Sequence, residues 1–211
     1  GFAKGINFLV KKVKTKYFLC TQPDTEISKK SILRLKKTLE VKKDSIISVP
    51  RIKQFKNFEN SQKNKKIFPV NKILGAIFLA EKKKFKKIGM FDEQFFFYWE
   101  DVDLCRTIEK NKFKIYLDMS AYANHVGESS VKENLKSFII RKVYFKYGEL
   151  IFQSKYKKLK TIKIIRESIK FSLLAIFFGL TLQFKKTLEM LCFIYAIIKF
   201  LLIFKKTNKN H

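Results

Sequence analysis

Five carboxylates, Asp92, Glu93, Glu100, Asp101 and Asp103, fall within residues 91–104, among Phe91, Phe95, Phe96, Phe97, Tyr98 and the single tryptophan, Trp99. Acids are scarce elsewhere, 18 Asp and Glu against 46 Lys and Arg, so their clustering needs a cause. Glu100 and Asp101 stand where a helix begins, with Val102, Leu104, Cys105 and Ile108 as its apolar side. A carboxylate at a helix mouth is held by a rigid element, and the helix N-terminus helps to keep it ionised. Such a group can take a proton from an attacking hydroxyl. The neighbouring rings would exclude water or offer a face for stacking. Ordinary helix capping accounts for Asp101 or Asp103, but poorly for the whole run of acids and aromatics.

Two further positions could serve the same chemistry. Asp24 follows Pro23 at the end of a strand-length apolar run, and side chains at strand ends border the crevice of an α/β sheet. A Pro-Asp pair is equally a plain turn. His125 is the only histidine inside the chain, and a lone histidine is as readily structural. If the two shared a metal, the mixed oxygen and nitrogen set would admit Mn²⁺ as well as Mg²⁺. Inverting transfer of a sugar from a nucleotide donor needs both parts: a base for the acceptor hydroxyl and positive charge beside the leaving diphosphate.

The elements that must hold these groups follow in order. Residues 1–14 read as a loop leading into a short helix, and 16–21 as a strand closed by the turn signal Gln22-Pro23-Asp24-Thr25. Ser28 is a suitable N-cap for a helix to about Glu40 that buries Ile32, Leu33, Leu35 and Leu39. A second apolar run, 45–49, is closed by Pro50. Helix, strand, helix, strand is the alternation of an α/β fold. Residues 54–66 are polar and rich in Lys and Asn, a surface loop. The apolar run 71–80 contains Gly75-Ala76, a bend or a close backbone approach. A basic helix over 81–88 stops at Gly89; the acid-rich stretch and its helix to about Asn111 follow, and 114–117 is a further strand. Residues 122–130 hold His125, Gly127 and the pair Ser129-Ser130.

From Val131 the character changes. Residues 135–152 are helical in pattern, basic and aromatic; 171–184 contain no charged residue, and 190–204 only Lys199. A helix over 171–184 reaches about 21 Å at about 1.5 Å per residue, short of a hydrocarbon core of about 30 Å. Two helices lying in a membrane interface, their lysines reaching anionic head groups, fit better than a spanning pair. The other reading is a buried helical hairpin.

The formal net charge of +28 implies an anionic partner: nucleic acid, an acidic membrane surface or a phosphorylated substrate. The excess is mostly lysine and accompanies abundant Phe, Ile and Asn, so compositional drift explains it too. The lysines are spread along the chain and no nucleic-acid-binding module is recognisable, so nucleic acid is not the expected partner. A hydrophobic content of 46% excludes a wholly disordered chain. The three cysteines are far apart, with no zinc-like spacing, which argues against a disulfide framework and suits a reducing cytosol.

Taken in order, these pieces resemble the family-2 inverting glycosyltransferases, in their rhamnosyltransferase-like branch. Gly1-Phe2-Ala3-Lys4-Gly5-Ile6-Asn7 is similar to a Gly-Phe-(Ala)-x-Gly-Asn-Asn segment, and Gln22-Pro23-Asp24-Thr25-Glu26-Ile27 to the Asn-Pro-Asp-Thr-Glu-Ile form of a DxD-type metal motif. Gly75-Ala76 matches a Gly-Ala strand at the donor–acceptor boundary. Residues 89–104 resemble the Gly-Gly-Phe-Asp-Glu…Glu-Asp-x-Asp-Leu signature, and His125 with Gly127 and Ser130 a His-x-x-Gly-x-Ser element.

The resemblance covers about residues 1–150. It implies a partial nucleotide-sugar-binding, Rossmann-like (GT-A) domain there, followed over 151–211 by membrane-associated helices on the cytoplasmic face. It implies transfer of a sugar such as rhamnose, with inversion, to a hydroxyl of a cell-surface glycan or lipid-linked acceptor. Asp101 would be the general base, with Glu100 and Asp103 shaping the acceptor site and the helix start. Asp24 would ligate Mg²⁺ or Mn²⁺ on the donor diphosphate, with His125 as second ligand or diphosphate contact. Asn7, Gly75, Ala76 and Trp99 would line the donor and acceptor sites. Gln22 stands where an acid or Asn is common, Ile6 replaces the first Asn of a pair, and the strand and helix that hold the nucleotide base are expected before Gly1. The competing expectation is a non-catalytic membrane-surface binding protein, or an inactive fragment of such an enzyme.

Overall fold

Among the described residues, short runs rich in Ile, Phe, Val and Tyr make six strands, and a helix brings the candidate acid Asp101 to one edge of the sheet they form. A computed structural model describes residues 1–52, 66–73, 75–125, 134–157 and 159–204. The chain divides into two units, one of Phe2–Asp92 with Glu100–Lys132, the other of Gly1, Glu93–Trp99 and Glu133–His211.

In the first unit, β1 (Tyr17–Thr21), β2 (Thr25–Ile27), β3 (Ser45–Ile52), β4 (Ile67–Val70), β5 (Ile77–Glu81) and β6 (Lys114–His125) form one mixed sheet. The order is β1-β5-β3-β6-β2, with β4 also paired to β6. β5 is antiparallel to both β1 and β3, and β3 is parallel to β6, so β1, β3 and β6 all end at the same edge. Helices α1 (Phe2–Lys12), α2 (Lys29–Val41), α3 (Lys82–Lys87) and α4 (Glu100–Lys110) cover the sheet. Alternation along the strands sorts the side chains to two faces. Phe18, Phe78 and Ala80 pack with Ala3, Val10, Phe85, Phe91, Leu104 and Ile108. The intervening Leu79 packs with Leu35 and Leu39 of α2.

Several expectations shift. α1 starts at Phe2 rather than after a loop: Ala3, Asn7 and Val10, spaced as one helical face, are buried, and Gly5 faces outward. β3 continues through Pro50. Among the described residues it is paired from Val49 onward with β6 alone, so on its other edge a residue lacking N–H breaks no described ladder bond. β2 and β4 are additional strands. β6 runs on to His125 through an irregularity: Pro50 aligns with Asp118, but Arg51 with Tyr122. Asp118 is buried there and accepts hydrogen bonds from Thr38 Oγ1 (2.9 Å), Ser120 N (2.9 Å) and Ser120 Oγ (2.6 Å). The Tyr122 N–H donates to Ser31 Oγ at 2.9 Å, so α2 pins the bulge. The expected loop over 54–66 lies, apart from Lys66, outside the described residues, as do Gly127, Ser129 and Ser130.

The second unit is helical: α5 (Leu135–Tyr156), α6 (Thr161–Leu180) and α7 (Phe184–Lys199), then a π-helical turn, Phe200–Phe204. Asn134 and Ser137 form a reciprocal capping box that fixes the start of α5. Val143, Tyr147, Leu150 and Ile151 of α5 pack with Phe95, Ile164, Cys192, Ala196 and Ile197. Lys146 is buried within the unit, paired with Glu149 at 2.9 Å and Glu167 at 2.7 Å. The break between α6 and α7 falls at 181–183, with Leu182 at φ 55°, and Lys185-Lys186 sit inside the first turn of α7. Among the described residues no helix is long and apolar enough to cross a membrane. α6 has the length, but Lys163, Arg166, Glu167 and Lys170 occupy its first half.

Candidate functional site

The motifs that lie far apart in sequence meet at the shared carboxyl edge of β1, β3 and β6. After β1, the Gln22 N–H donates to the Ala76 carbonyl at 2.9 Å, and the Thr25 N–H donates to Gln22 O at 3.1 Å, closing a tight turn around Pro23 and Asp24. β2 then pairs with the end of β6 in the register Thr25 with His125. Asp24 and His125, 101 positions apart in sequence, are thus brought to neighbouring backbone positions. Gly75 and Ala76 lead into β5 at the same edge.

The Asp101 carboxylate reaches this edge from the first turn of α4. Its Oδ2 accepts from the Gly75 N–H at 3.3 Å and its Oδ1 from the Val102 N–H at 2.8 Å. A Cβ on Gly75 would lie 3.4 Å from the Asp101 Cβ, so the two segments are already in contact. Burial raises the Asp101 carboxyl above its ordinary range, and the N–H groups of Val102 and Gly75 oppose the shift. Burial pushes Glu100 up to about 7, with the Asp101 charge adding to the rise. Among the described residues the buried Glu100 Oε2 has no hydrogen-bond partner. Asp103 is 2% exposed and belongs to the interior of the helix start.

Asn7 is also 2% exposed, and its amide is engaged with the backbone of Phe91: Nδ2 donates to Phe91 O at 2.9 Å, and Phe91 N donates to Oδ1 at 3.1 Å. It therefore fixes the entry to the acid-rich stretch. Gly89, at φ 93°, and Met90, at φ 64°, turn the chain out of α3 just before this clamp. Trp99 belongs to the helical unit. Its ring packs on Phe152 (5.2 Å between centroids) and Phe145 (5.9 Å), and its buried Nε1 has no hydrogen-bond partner among the described residues. Tyr98 and Trp99 both have positive φ, 66° and 71°, a backbone shape that costs energy in residues with side chains.

Among the described residues no three His, Cys, Asp or Glu side chains are grouped to hold a metal. Asp24 and the backbone of His125 lie side by side at this edge. An aspartate carboxylate is a suitable hard ligand for Mg²⁺, an ion that usually takes most of its ligands from diphosphate oxygens and water. The three cysteines are free and buried, and burial pushes the Cys20 and Cys105 thiols up to about 12, so neither is a nucleophile at neutral pH.

Sequence reasoning missed Thr38, Ser31 and Asp118 at the β6 bulge of the sheet unit and, within the helical unit, the Lys146–Glu149–Glu167 cluster. The Lys146 and Glu149 spacing of three on a helix was a visible signal for part of that cluster. The bulge gave none.

The mixed sheet with its covering helices is an α/β fold resembling that of the GT-A glycosyltransferases. Among the solved structures it matches is that of GalNAc-T7 with UDP, GalNAc and Mn²⁺, at a TM-score of 0.51 and 13% identity over 71% of this chain. The match spans 37% of that protein's chain, and at this identity the likeness is one of fold. No protein-family model matches the chain, and no curated protein does.

Proposed function

We propose that this chain is part of an inverting glycosyltransferase that moves a sugar from a nucleotide-sugar to a hydroxyl of a glycan or lipid-linked acceptor, with Asp101 as general base. The observation that carries the reading is the hydrogen bond from Gly75 N–H to the Asp101 carboxylate, at the sheet edge where Asp24 and His125 also lie. The two N–H groups orient the carboxylate, and partial desolvation makes it a stronger base than an exposed aspartate. Asp101 takes the acceptor proton as the hydroxyl oxygen attacks the anomeric carbon. Glu100, half neutral near pH 7, can donate a hydrogen bond within the acceptor site. Asp24 and His125 would hold Mg²⁺ or Mn²⁺, which supplies positive charge to the leaving diphosphate. The sugar transferred, rhamnose in the branch that the motifs resemble, belongs to the same proposal, as do donor or acceptor contacts at Ala76 and Trp99.

We also infer that residues 151–211 rest on the cytoplasmic face of a membrane, where a lipid-linked acceptor would be found; the exposed apolar residues of α6 and α7 support this.

The test is release of nucleoside diphosphate from a panel of nucleotide-sugars with Mn²⁺, for the natural protein and its Asp101→Asn variant. Asn keeps the shape and the acceptor oxygen for Gly75 but cannot take a proton, so the rate falls by about 10²–10⁴-fold. Undiminished activity in the variant would overturn the base assignment.

A further inference from the structure

Along α6 the exposed apolar residues Ile162, Ile165, Ile169, Leu173, Ile176 and Leu180 follow one another at intervals of three and four, a single stripe down the helix. The stripe is unpartnered: Ile164 and Ala175, which are buried, lie on the opposite side. Beside its first half, a groove of about 1060 Å³ opens between the end of α5 and the start of α6. Lys157, Lys160, Arg166 and Lys170 line it. All four are exposed, and the ion pairs described in this unit use other lysines: Lys142, Lys146 and Lys163. Ile162, Ile169 and Leu173 give the same groove an apolar wall continuous with the stripe.

From this juxtaposition we propose that the α5–α6 groove binds one acidic phospholipid, its phosphate among Lys157, Lys160, Arg166 and Lys170 and its upper acyl chain along Ile162, Ile169 and Leu173. The occupant is argued from complementarity. Among the described residues none of the four cations has an ion pair, and the one carboxylate lining the groove, Glu167, is taken up by Lys146 and Lys163. The groove therefore favours an anion, and the apolar wall in the same cavity favours one that carries a chain, which free phosphate lacks. A second copy of this protein would bring a like-charged groove and a net charge of +28 against the first. A cavity of this size is large enough for a head group and part of a chain. The proposal rests on the reading of the C-terminal helices as membrane-facing and sharpens it from a general surface attraction to a built site.

The experiment is flotation of the full chain with vesicles of phosphatidylcholine alone and of equimolar phosphatidylcholine and phosphatidylglycerol. Two triple variants are compared: K160E/R166E/K170E in the groove, and K29E/K30E/K37E on the exposed face of α2, which changes the net charge equally. Each cation close to an acidic surface contributes about a factor of five, so the groove variant loses about 100-fold in affinity or more while the α2 variant keeps most of it. Far-UV circular dichroism checks that both remain folded. If the unaltered chain does not float with the acidic vesicles, the membrane reading itself fails. If it floats and the two variants are equally weakened, or neither is, the groove is not the site and a general charge attraction stands. A second measurement, calorimetric titration with dihexanoyl phosphatidic acid and with inorganic phosphate, separates lipid from anion. The lipid binds more tightly by about 10-fold or more; equal affinities would overturn the lipid assignment.

Discussion

Asn7 illustrates how one buried side chain can hold the chain at the entry to the acid-rich stretch. Its amide satisfies both the N–H and the carbonyl of Phe91, in a place with almost no water access. Replacing it by alanine strands two buried backbone groups, and each such loss costs about 1–3 kcal/mol. Asn7→Ala is therefore expected to lower stability by about 2–4 kcal/mol in urea denaturation followed by circular dichroism; a change near zero would mean that water takes over both bonds. Glu100 gives a second residue-scale expectation, through pH. Its carboxyl is raised from 4.5 to about 7 in the folded chain, so between these values the folded state holds a proton that the unfolded state has released. Stability therefore falls as pH rises through that window, by roughly 3 kcal/mol at about 1.4 kcal/mol per pH unit. Glu100→Gln mimics the neutral acid. It should match the unaltered protein near pH 4 and exceed it by about 2–3 kcal/mol at pH 8. Parallel pH–stability curves for the two proteins would show that Glu100 does not titrate in this way.

At the scale of elements, α5 is fitted to the strained pair Tyr98 and Trp99 at a glycine. A Cβ at Gly148 would lie 3.0 Å from Trp99 Cδ1 and 3.1 Å from the Tyr98 carbonyl oxygen, so the helix surface is notched for the indole. Alanine would gain about 1 kcal/mol of helix propensity but force the ring and a backbone carbonyl to move, an overpacking cost of about 1–3 kcal/mol. Gly148→Ala is expected to lower the melting temperature and to shift the emission of the only tryptophan; a rise in melting temperature with unchanged emission would show that the indole yields without cost. No sequence pattern announced this contact. What was legible among the elements had a local cause. Ser28 accepts from Ser31 N at 3.2 Å as an N-cap should, Gly89 ends α3 with positive φ, and α4 starts within the acid run. β2 and β4, of 3 and 4 residues, were too short to show a period and exist because β6 offers them a partner. β6 itself looked short because Asp118 interrupts its apolar run, and the hydroxyls of Thr38 and Ser120 with the Ser120 N–H make that acid tolerable.

For the whole molecule, the α/β alternation and the strand-end position of Asp24 were legible in the residues themselves, whereas a common crevice for Asp24, Gly75-Ala76, Asp101 and His125 was expected only from the motif order that the family resemblance supplied. The partners inside it were not legible: a one-letter string does not say that Asp101 faces the Gly75 amide, or that the Asn7 amide is taken up by the backbone. The charge is legible, and it makes the last prediction. With 46 basic and 18 acidic residues, repulsion opposes the folded state more than the unfolded one, because folding brings the cations closer together. The exposed pairs Lys36–Glu40, Arg106–Glu109 and Lys114–Asp44 are too few and too weak to offset it, at about 0–1 kcal/mol each. Salt screens both effects, and the larger one decides the sign. Raising NaCl from about 0.01 M to about 0.15 M shortens the screening length from about 30 Å to about 8 Å, which removes repulsion between distant cations while sparing close pairs. The melting temperature should therefore rise with salt, by about 2–4 °C for each kcal/mol of repulsion screened. Scanning calorimetry in NaCl, against glucose at matched osmolality, separates screening from solvent exclusion. A melting temperature that stays level or falls as NaCl is added would mean that local ion pairs, and not the net charge, govern the electrostatics of this fold.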